Sequence, residues 1–393
     1  MEEEEEEEWL VESLGLYNDL HTFELQDPTR VIEWIGEKSV CVAGYENPRR
    51  NEILQLLLPQ RLCSKGNQGL CPERDFKVEL GGFSDRPVYG LKHVPQTSLL
   101  VTSGPPDGAL QVWRMEPGET GVIKPVTTIP PSQGDEHSFC MKMATASFQA
   151  ACVLHGLKMN NIQMTEVESQ KTIFAAASPC TEELSSLHFL DGASLLACSD
   201  RGRLFLADTR QPQGQLGEVT DASLPSALGG HSWTAGVQPG TPSEPAGGKP
   251  LVARLSTGGH VVLTDLRSPA GPLSVAQCGV APAPGFRGVA LLAVSFAPLL
   301  EGHLAVSGFD GIVRIYETHQ WDSATQEAQP AFLHKGHVFG GPGGAREPPL
   351  VTAHTWHPSK PRTLLSAASD GALHVWDWAD PQGGATRSTG FAP

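Results

Sequence analysis

The chain has 393 residues, among them 42 glycines and 32 prolines, and a formal net charge of −16. No lysine- or arginine-rich cluster offers a footprint for DNA or RNA, so direct nucleic-acid binding is disfavoured. No apolar stretch approaches the length of a membrane span. The eight cysteines form no Cys-x-x-Cys pair, and we expect reduced, mostly buried thiols in an intracellular protein.

The N-terminal segment combines a charge run with an apolar stripe. Glu2–Glu8 is a run of glutamates, which we interpret either as a solvated tail or as an electrostatic contact for a basic partner. Trp9–Leu20 follows with helical periodicity. We therefore predict that residues 1–20 form an acidic tail and an amphipathic helix. The helix either packs on the rim of the fold or binds a partner through Trp9, Leu10, Leu14 and Tyr17.

His21–Gln26 alternates apolar and polar residues, as an edge strand does. Beyond it, β-rich hairpin units repeat along the chain, and each ends at a comparable position. These positions are 42 to 60 residues apart: Leu57, Trp113, Thr165, Ala207, Thr264, Tyr316 and Trp376. A unit of this length that recurs seven times predicts an array of similar supersecondary units rather than two average domains.

Two consecutive units end in an Asp-x-Arg triplet, Asp208 to Arg210 and Asp265 to Arg267. One interpretation is an ion pair inside each unit. The other is a docking box, because similar triplets connect some repeat proteins to the adaptor of cullin–RING ubiquitin ligases. Neither triplet has a tryptophan before its aspartate, since Ala207 and Thr264 stand there.

The last unit, Arg362–Trp378, is the clearest. Two β-rich runs flank the turn Ser369-Asp370-Gly371, and Asp-Gly is a strong hairpin signal. Gly336-His337 lies about 40 residues before Trp376-Asp377, which is the signature of a WD-repeat blade. In such blades the histidine, the turn aspartate and the tryptophan form a hydrogen-bonded support, a role that fits His337, Asp370 and Trp376. Ala368 stands where the usual Ser/Thr would be, so the network is incomplete.

These observations predict an all-β fold, a seven-bladed WD-repeat β-propeller with a short N-terminal helix. Little follows Trp378 to supply the fourth strand of the last blade. We therefore expect His21–Gln26 to close the ring by pairing with Leu373–Trp378. The predicted propeller spans residues 21–378 and is monomeric, and residues 379–393 form a disordered tail.

Catalytic chemistry has little support. Gly247–Lys249 resembles a phosphate loop only superficially, because Pro250 replaces the Ser/Thr that would meet Mg²⁺, and no Gly-x-Ser-x-Gly elbow exists. His354 and His357 lie in a predicted strand, where residues three apart point to opposite faces. We predict no catalytic residue, no cofactor and no metal site.

Longer strings carry a family resemblance. They cover most of the chain: WLVESL (Trp9–Leu14), VAGYE (Val42–Glu46), PERDFKV (Pro72–Val78), GGFSDR (Gly81–Arg86), LKHVP (Leu91–Pro95), EELSSL (Glu182–Leu187), SGFDG (Ser307–Gly311), HTWHP (His354–Pro358) and LHVWDW (Leu373–Trp378). Together they resemble one vertebrate family of WD-repeat proteins. The strings PERDFKV and GGFSDR lie outside the repeats and are more specific than any Trp-Asp pair.

This resemblance implies a non-enzymatic protein, mainly cytoplasmic and also associated with spindle poles and microtubule organisation. It implies a role in assembling the RNA-cleaving module of the Integrator complex. The implied partners are the endonuclease subunits of that complex and also tubulin-associated proteins. No residue of a binding site follows from it. The alternative is a substrate receptor of a cullin–RING ligase, docked through Asp208, Arg210, Asp265 and Arg267. A propeller enzyme is a third class, which would need carboxylates gathered from separate blades.

Overall fold

The computed structural model describes residues 9, 15–47, 49–59, 75–118, 121–131, 141–147, 150–211, 213–219, 224, 228–238, 251–268, 271–280, 290–322, 326–339 and 348–379. Thirty β-strands dominate this part of the chain. Its helices are one short α-helix, α1 (Gly336–Phe339), and one 3₁₀ helix (Thr318–Gln320), with a few more helical residues near the N-terminus and at Leu228. None of the described helices is long and apolar enough to cross a membrane.

The strands form seven four-stranded antiparallel units, or blades. Blade one has β2 (Thr29–Trp34), β3 (Ser39–Gly44), β4 (Asn51–Leu57) and β5 (Lys77–Ser84). Blade two has β6 (Gly90–His93), β7 (Leu99–Gly104), β8 (Asp107–Glu116) and β9 (Val122–Ile129). Blade three has β10 (Lys142–Ser147), β11 (Ala151–Gly156), β12 (Gln163–Glu166) and β13 (Thr172–Ala177). Blade four has β14 (Leu184–Phe189), β15 (Ser194–Ser199), β16 (Leu204–Asp208) and β18 (Gly217–Glu218).

Blade five has β19 (Trp233–Val237), β20 (Leu251–Ser256), β21 (His260–Asp265) and β22 (Ser274–Cys278). Blade six has β23 (Ala293–Phe296), β24 (His303–Ser307), β25 (Val313–Glu317) and β27 (Phe332–His334). Blade seven has β28 (Val351–Trp356), β29 (Thr363–Ala368), β30 (Ala372–Trp378) and β1 (Tyr17–Glu24). The first strands contact one another in sequence, and β28 returns to β2, so the ring is closed. The predicted all-β propeller is confirmed.

The second strands show how the sequence produces this ring. Strands β3, β7 and β29 are buried at every position, because each lies between two neighbouring blades. The sequences of these strands are therefore continuous runs of apolar and small residues and do not alternate between apolar and polar. Packing between blades continues around the ring. Val40 and Leu56 of blade one, for example, pack against Leu365 and Val375 of blade seven.

This packing corrects one predicted equivalence. Trp376 lies opposite Leu364 and faces the preceding blade, blade six. In blade one, Leu56 lies opposite Val40 and faces its own preceding blade, blade seven. Leu56, and not Leu57, is therefore the counterpart of Trp376. Leu57 lies opposite Ser39, on the other face of the sheet.

The N-terminal strand closes blade seven, as predicted. Strand β1 pairs antiparallel with β30, with Leu20 opposite Trp376 and Phe23 opposite Leu373. The strand begins at Tyr17, so the predicted helix through Leu20 and the predicted boundary between residues 20 and 21 are wrong. Pairing along β30 prevails over the local helical pattern, and the helical residues next to the strand are Gly15 and Leu16. The predicted disordered tail was 379–393, but the Ala379 amide donates to the Leu16 carbonyl at 2.9 Å. Residues 380–393 lie outside the described residues.

Three short rim contacts join blades in pairs. The outer strand β5 of blade one meets β9 of blade two in parallel. A Cβ on Gly82 would overlap the carbonyl oxygen of Ile123, so this approach depends on a glycine. The segment between the third and fourth strands of blade four contains β17 (Gln213–Gln215), which pairs with β13 as a fifth strand of blade three. The corresponding segment of blade six contains β26 (Gln326–Ala328), which pairs with β22 as a fifth strand of blade five.

Candidate functional site

A buried hydroxyl lies at the centre of the polar network in blade seven. The Ser366 Oγ on β29 is 3.1 Å from the Trp376 Nε1, which donates to it, and 2.8 Å from the His337 Nε2. All three residues are almost fully buried. The network therefore connects the second and third strands of the blade to α1, which precedes its first strand.

A second chain of hydrogen bonds attaches the N-terminal strand. The Tyr17 hydroxyl lies 2.8 Å from the His334 Nδ1, and the His334 Nε2 lies 3.1 Å from the His374 Nδ1. A Tyr17 hydroxyl that donates to Nδ1 leaves Nε2 of His334 protonated and able to donate to His374. These bonds connect β1, blade six and blade seven.

Three neutral histidines form a cluster in which His337 and His374 are stacked and His334 is edge-on to both. Nitrogens of His334, His337 and His374 lie within 4.8 Å of one another. Burial lowers the pKa of His374 to about 4 and the pKa values of His334 and His337 well below their ordinary range. The rings of His337 and His374 are stacked at 3.8 Å with a 6° angle between planes, so their in-plane lone pairs do not converge on one point. This geometry suits packing and hydrogen bonding better than metal ligation.

Asp370 lies outside this network, which corrects its predicted role. Its exposed side chain accepts a hydrogen bond of 2.9 Å from the Ala372 amide, across the turn. Asp107 and Asp310 make the same bond in their own turns, to Ala109 and Ile312. The aspartate is therefore a turn residue. The bridging hydroxyl that the sequence analysis missed is Ser366.

The same bridging position is polar in other blades. In blade two, Trp113 Nε1 donates to Thr102 Oγ1 at 2.8 Å. In blade three a histidine replaces the hydroxyl, and His155 Nε2 lies 2.9 Å from Thr165 Oγ1. The sequence signal is a Ser or Thr ten or eleven residues before the tryptophan, which finds Ser366 and Thr102.

The Asp-x-Arg triplets form ion pairs inside their own blades. Arg210 Nε lies 2.9 Å from Asp208 Oδ1, and this bond lowers the pKa of Asp208 to about 2. Arg267 Nε lies 3.7 Å from Asp265 Oδ1. In both triplets the aspartate also accepts a hydrogen bond from the backbone amide of the arginine. The geometry matches the first interpretation, that of local ion pairs after the third strand.

Of the four residues proposed for a partner helix, the structure describes two, Trp9 and Tyr17. Trp9 is half-buried and packs against the core between blades six and seven. Tyr17 is a buried residue of β1, with its ring edge-on to Phe332 at 5.3 Å. Leu10 and Leu14 lie outside the described residues. The two described members thus belong to the propeller core and do not form an exposed stripe.

The seven-bladed ring, the Gly-His and Trp-Asp pairs and the buried Ser–His–Trp network define a WD-repeat β-propeller. Comparison with known proteins then specifies the family. The chain is 48% identical to the mouse (Mus musculus) Integrator complex assembly factor WDR73 over 377 residues, 96% of this chain and 98% of the relative. It is 46% identical to the Xenopus laevis protein of that name over 376 residues, 94% of this chain and 98% of the relative.

The human (Homo sapiens) protein of the same name is 46% identical over 381 residues, 95% of this chain and 98% of the relative. The chain belongs to the WDR73 family, which confirms the resemblance carried by its longer sequence strings. No protein-family model matches the chain.

Proposed function

We propose that this chain is a non-enzymatic scaffold that assists assembly of the Integrator complex. The observation that carries the proposal is its identity of 42–48%, over nearly the whole chain, to relatives named Integrator complex assembly factor. The similarity covers the complete ring of blades, so the surfaces available to partners are those of one rigid propeller. Loops on such a scaffold vary freely while the strands hold them in place.

The partners we propose are the catalytic and pseudo-enzyme subunits of the RNA-endonuclease module. Binding takes place in the cytoplasm, before the module joins the rest of the complex. The association with spindle poles, through tubulin-associated proteins, is a second part of the proposal. Both parts follow from the family resemblance.

The chemistry of the described residues supports a binding role. The cluster of His334, His337 and His374 is buried and engaged in hydrogen bonds. Burial keeps these rings neutral at physiological pH. Their role is to hold blades together, and the function then lies in the outer surfaces.

The test is affinity purification of the tagged full-length chain from cytoplasmic extract, with quantification of stoichiometric partners. We expect both endonuclease subunits to co-purify. A matched control is the doubly substituted chain Arg210→Ala/Arg267→Ala, which should retain these partners. Recovery of a ligase adaptor that depends on these two arginines, without the endonuclease subunits, would support the cullin–RING receptor instead.

A further inference from the structure

The first strands of the seven blades surround a central channel. Two adjoining cavities occupy it, of about 280 and 500 Å³. Both are lined by Glu33, Lys92, Lys142 and Met143, so they are two parts of one space. The smaller cavity also contacts Arg30 and Tyr89, at the beginning of blades one and two. We call Arg30, Tyr89 and Lys142 the channel mouth.

The charge of this channel is opposite to that of the protein. The seven first strands are fully described, and their charged residues are Arg30, Lys92 and Lys142 against Glu33. Three basic groups and one acidic group give the strands a formal charge of +2, whereas the whole chain carries −16. Lys92 Nζ lies 2.8 Å from Glu33 Oε2, so this acidic group is already paired. A low-dielectric concave wall of one charge sign concentrates its field on a ligand of the other sign.

Arg30 is held ready for such a ligand. Its guanidinium carbon lies 4.0 Å from the centre of the Tyr89 ring and 5.8 Å from that of Tyr45. Aromatic faces attract a cation without neutralising it. Within the described ranges, no carboxylate pairs with this guanidinium. Its hydrogen-bond donors therefore remain available for an incoming anion, which Arg binds through two parallel bonds.

We propose that the channel mouth binds a short acidic segment of a protein partner. The segment has neutral or basic flanks, because the flanks must lie against an acidic exterior while the carboxylates meet Arg30 and Lys142. The same exterior repels an extended polyanion such as RNA. This proposal concerns a surface and the chemistry of its occupant, and it stands whether or not the partner belongs to the Integrator complex.

The test uses the full chain and a fluorescein-labelled peptide of four glutamates flanked by glycine and lysine. Binding is followed by fluorescence anisotropy, with the glutamine version of the peptide and a uridine oligonucleotide as separate arms. We expect the acidic peptide to bind and both other probes to fail. Arg30→Glu should weaken binding about tenfold or more, since it replaces an attraction by a repulsion. Lys171→Glu, an equal charge change at an exposed rim position, should leave it unchanged.

Two further measurements keep the test decisive. Arg30→Gln removes the charge without adding a new one, and thermal melting shows whether each variant is folded. A photo-crosslinking version of the peptide should attach to residues of the first strands. Equal binding to native and Arg30→Gln protein, crosslinks confined to the rim, or preference for the oligonucleotide would each overturn the proposal. Peptide binding without recovery of Integrator subunits would count against the proposed function alone.

Discussion

Asp19 and Asp377 lie directly opposite each other in the strand pair that closes the ring. Asp19 is only 4% exposed, and Asp377 is half-buried. Burial, and to a smaller extent the neighbouring Asp19 carboxylate, raise the pKa of Asp377 to about 6, against a hydrogen bond from Asn18 that lowers it. His21 Nε2 lies 2.9 Å from Asp19 Oδ1. Like charges at a direct cross-strand pair are destabilising, so we expect the stability of the closed ring to depend on pH.

The first prediction follows from Asp377. A carboxyl whose pKa is raised in the folded state contributes stability that is fully present below its unfolded pKa of about 3.9 and lost as pH rises through about 6. Asp377→Asn should therefore raise the melting temperature at pH 8, by roughly 1–3 °C. The gain should shrink toward zero at pH 4. Calorimetry across this range tests it, and an equal gain at both pH values would exclude a charge effect.

The buried histidines predict the opposite dependence. The pKa of His374 is lowered to about 4, so its contribution is present above the unfolded value of about 6.5 and is lost as pH falls from there to 4. The free energy of unfolding should decrease over this interval. His374→Gln should reduce the slope of this free energy against pH by at most about 1.4 kcal/mol per pH unit, the value for uptake of one proton. Urea titrations at closely spaced pH values measure the slope, and an unchanged slope would contradict the interpretation that the histidine cluster is neutral.

Ser366→Ala should be the more damaging change in blade seven. It leaves the Trp376 indole N–H and the His337 nitrogen buried without their shared partner, at a cost of about 1–3 kcal/mol. Asp370→Ala removes one turn bond at an exposed position and should cost less, about 0.5–1.5 kcal/mol. Chemical denaturation of both variants gives the comparison. If Asp370→Ala destabilised the protein more than Ser366→Ala, Asp370 would be the central residue of the network.

Removal of residues 1–27 should open blade seven. The deletion uncovers the apolar surfaces covered by Tyr17, Leu20 and Phe23, each worth about 1.5–3 kcal/mol when fully buried. A large loss of thermal stability is expected. The control lacks only residues 1–8 and should melt like the full chain. A 1–27 deletion with native melting behaviour would show that β1 is dispensable for closing the ring.

The repeat signal was sufficient for the architecture because each second strand is buried on both faces and reads as an apolar run. Ring closure was also predictable, since Trp378 ends a third strand and a fourth was missing. Tyr17 was misassigned because it continues the helical spacing of Leu10 and Leu14, and so few residues do not separate a period of 3.6 from a period of 2. Only the pairing with Trp378 distinguishes them.

Other features left no local pattern to read. Strands β17 and β26 are three residues each, with the sequences QGQ and QEA, and they exist only because a neighbouring outer strand offers an open edge. The spacing to Trp376 identifies Ser366, but its second partner, His337, lies 29 residues before it. The charge of the channel is likewise hidden, because Arg30, Lys92 and Lys142 are far apart in sequence and meet only in the closed ring.

The pairing of β1 with β30 sets an order on folding during synthesis. Among the described strands of the ring, β1 is made first, and its partner β30 is made last. The six blades between them can form as they emerge, and the rim contacts fasten blades one and two, three and four, and five and six as successive pairs. Until Trp378 leaves the exit tunnel, Tyr17 and Phe23 lack the strand with which β1 pairs. The nascent propeller is therefore an open arc with an exposed apolar strand at its leading end, which is the state a chaperone would need to protect.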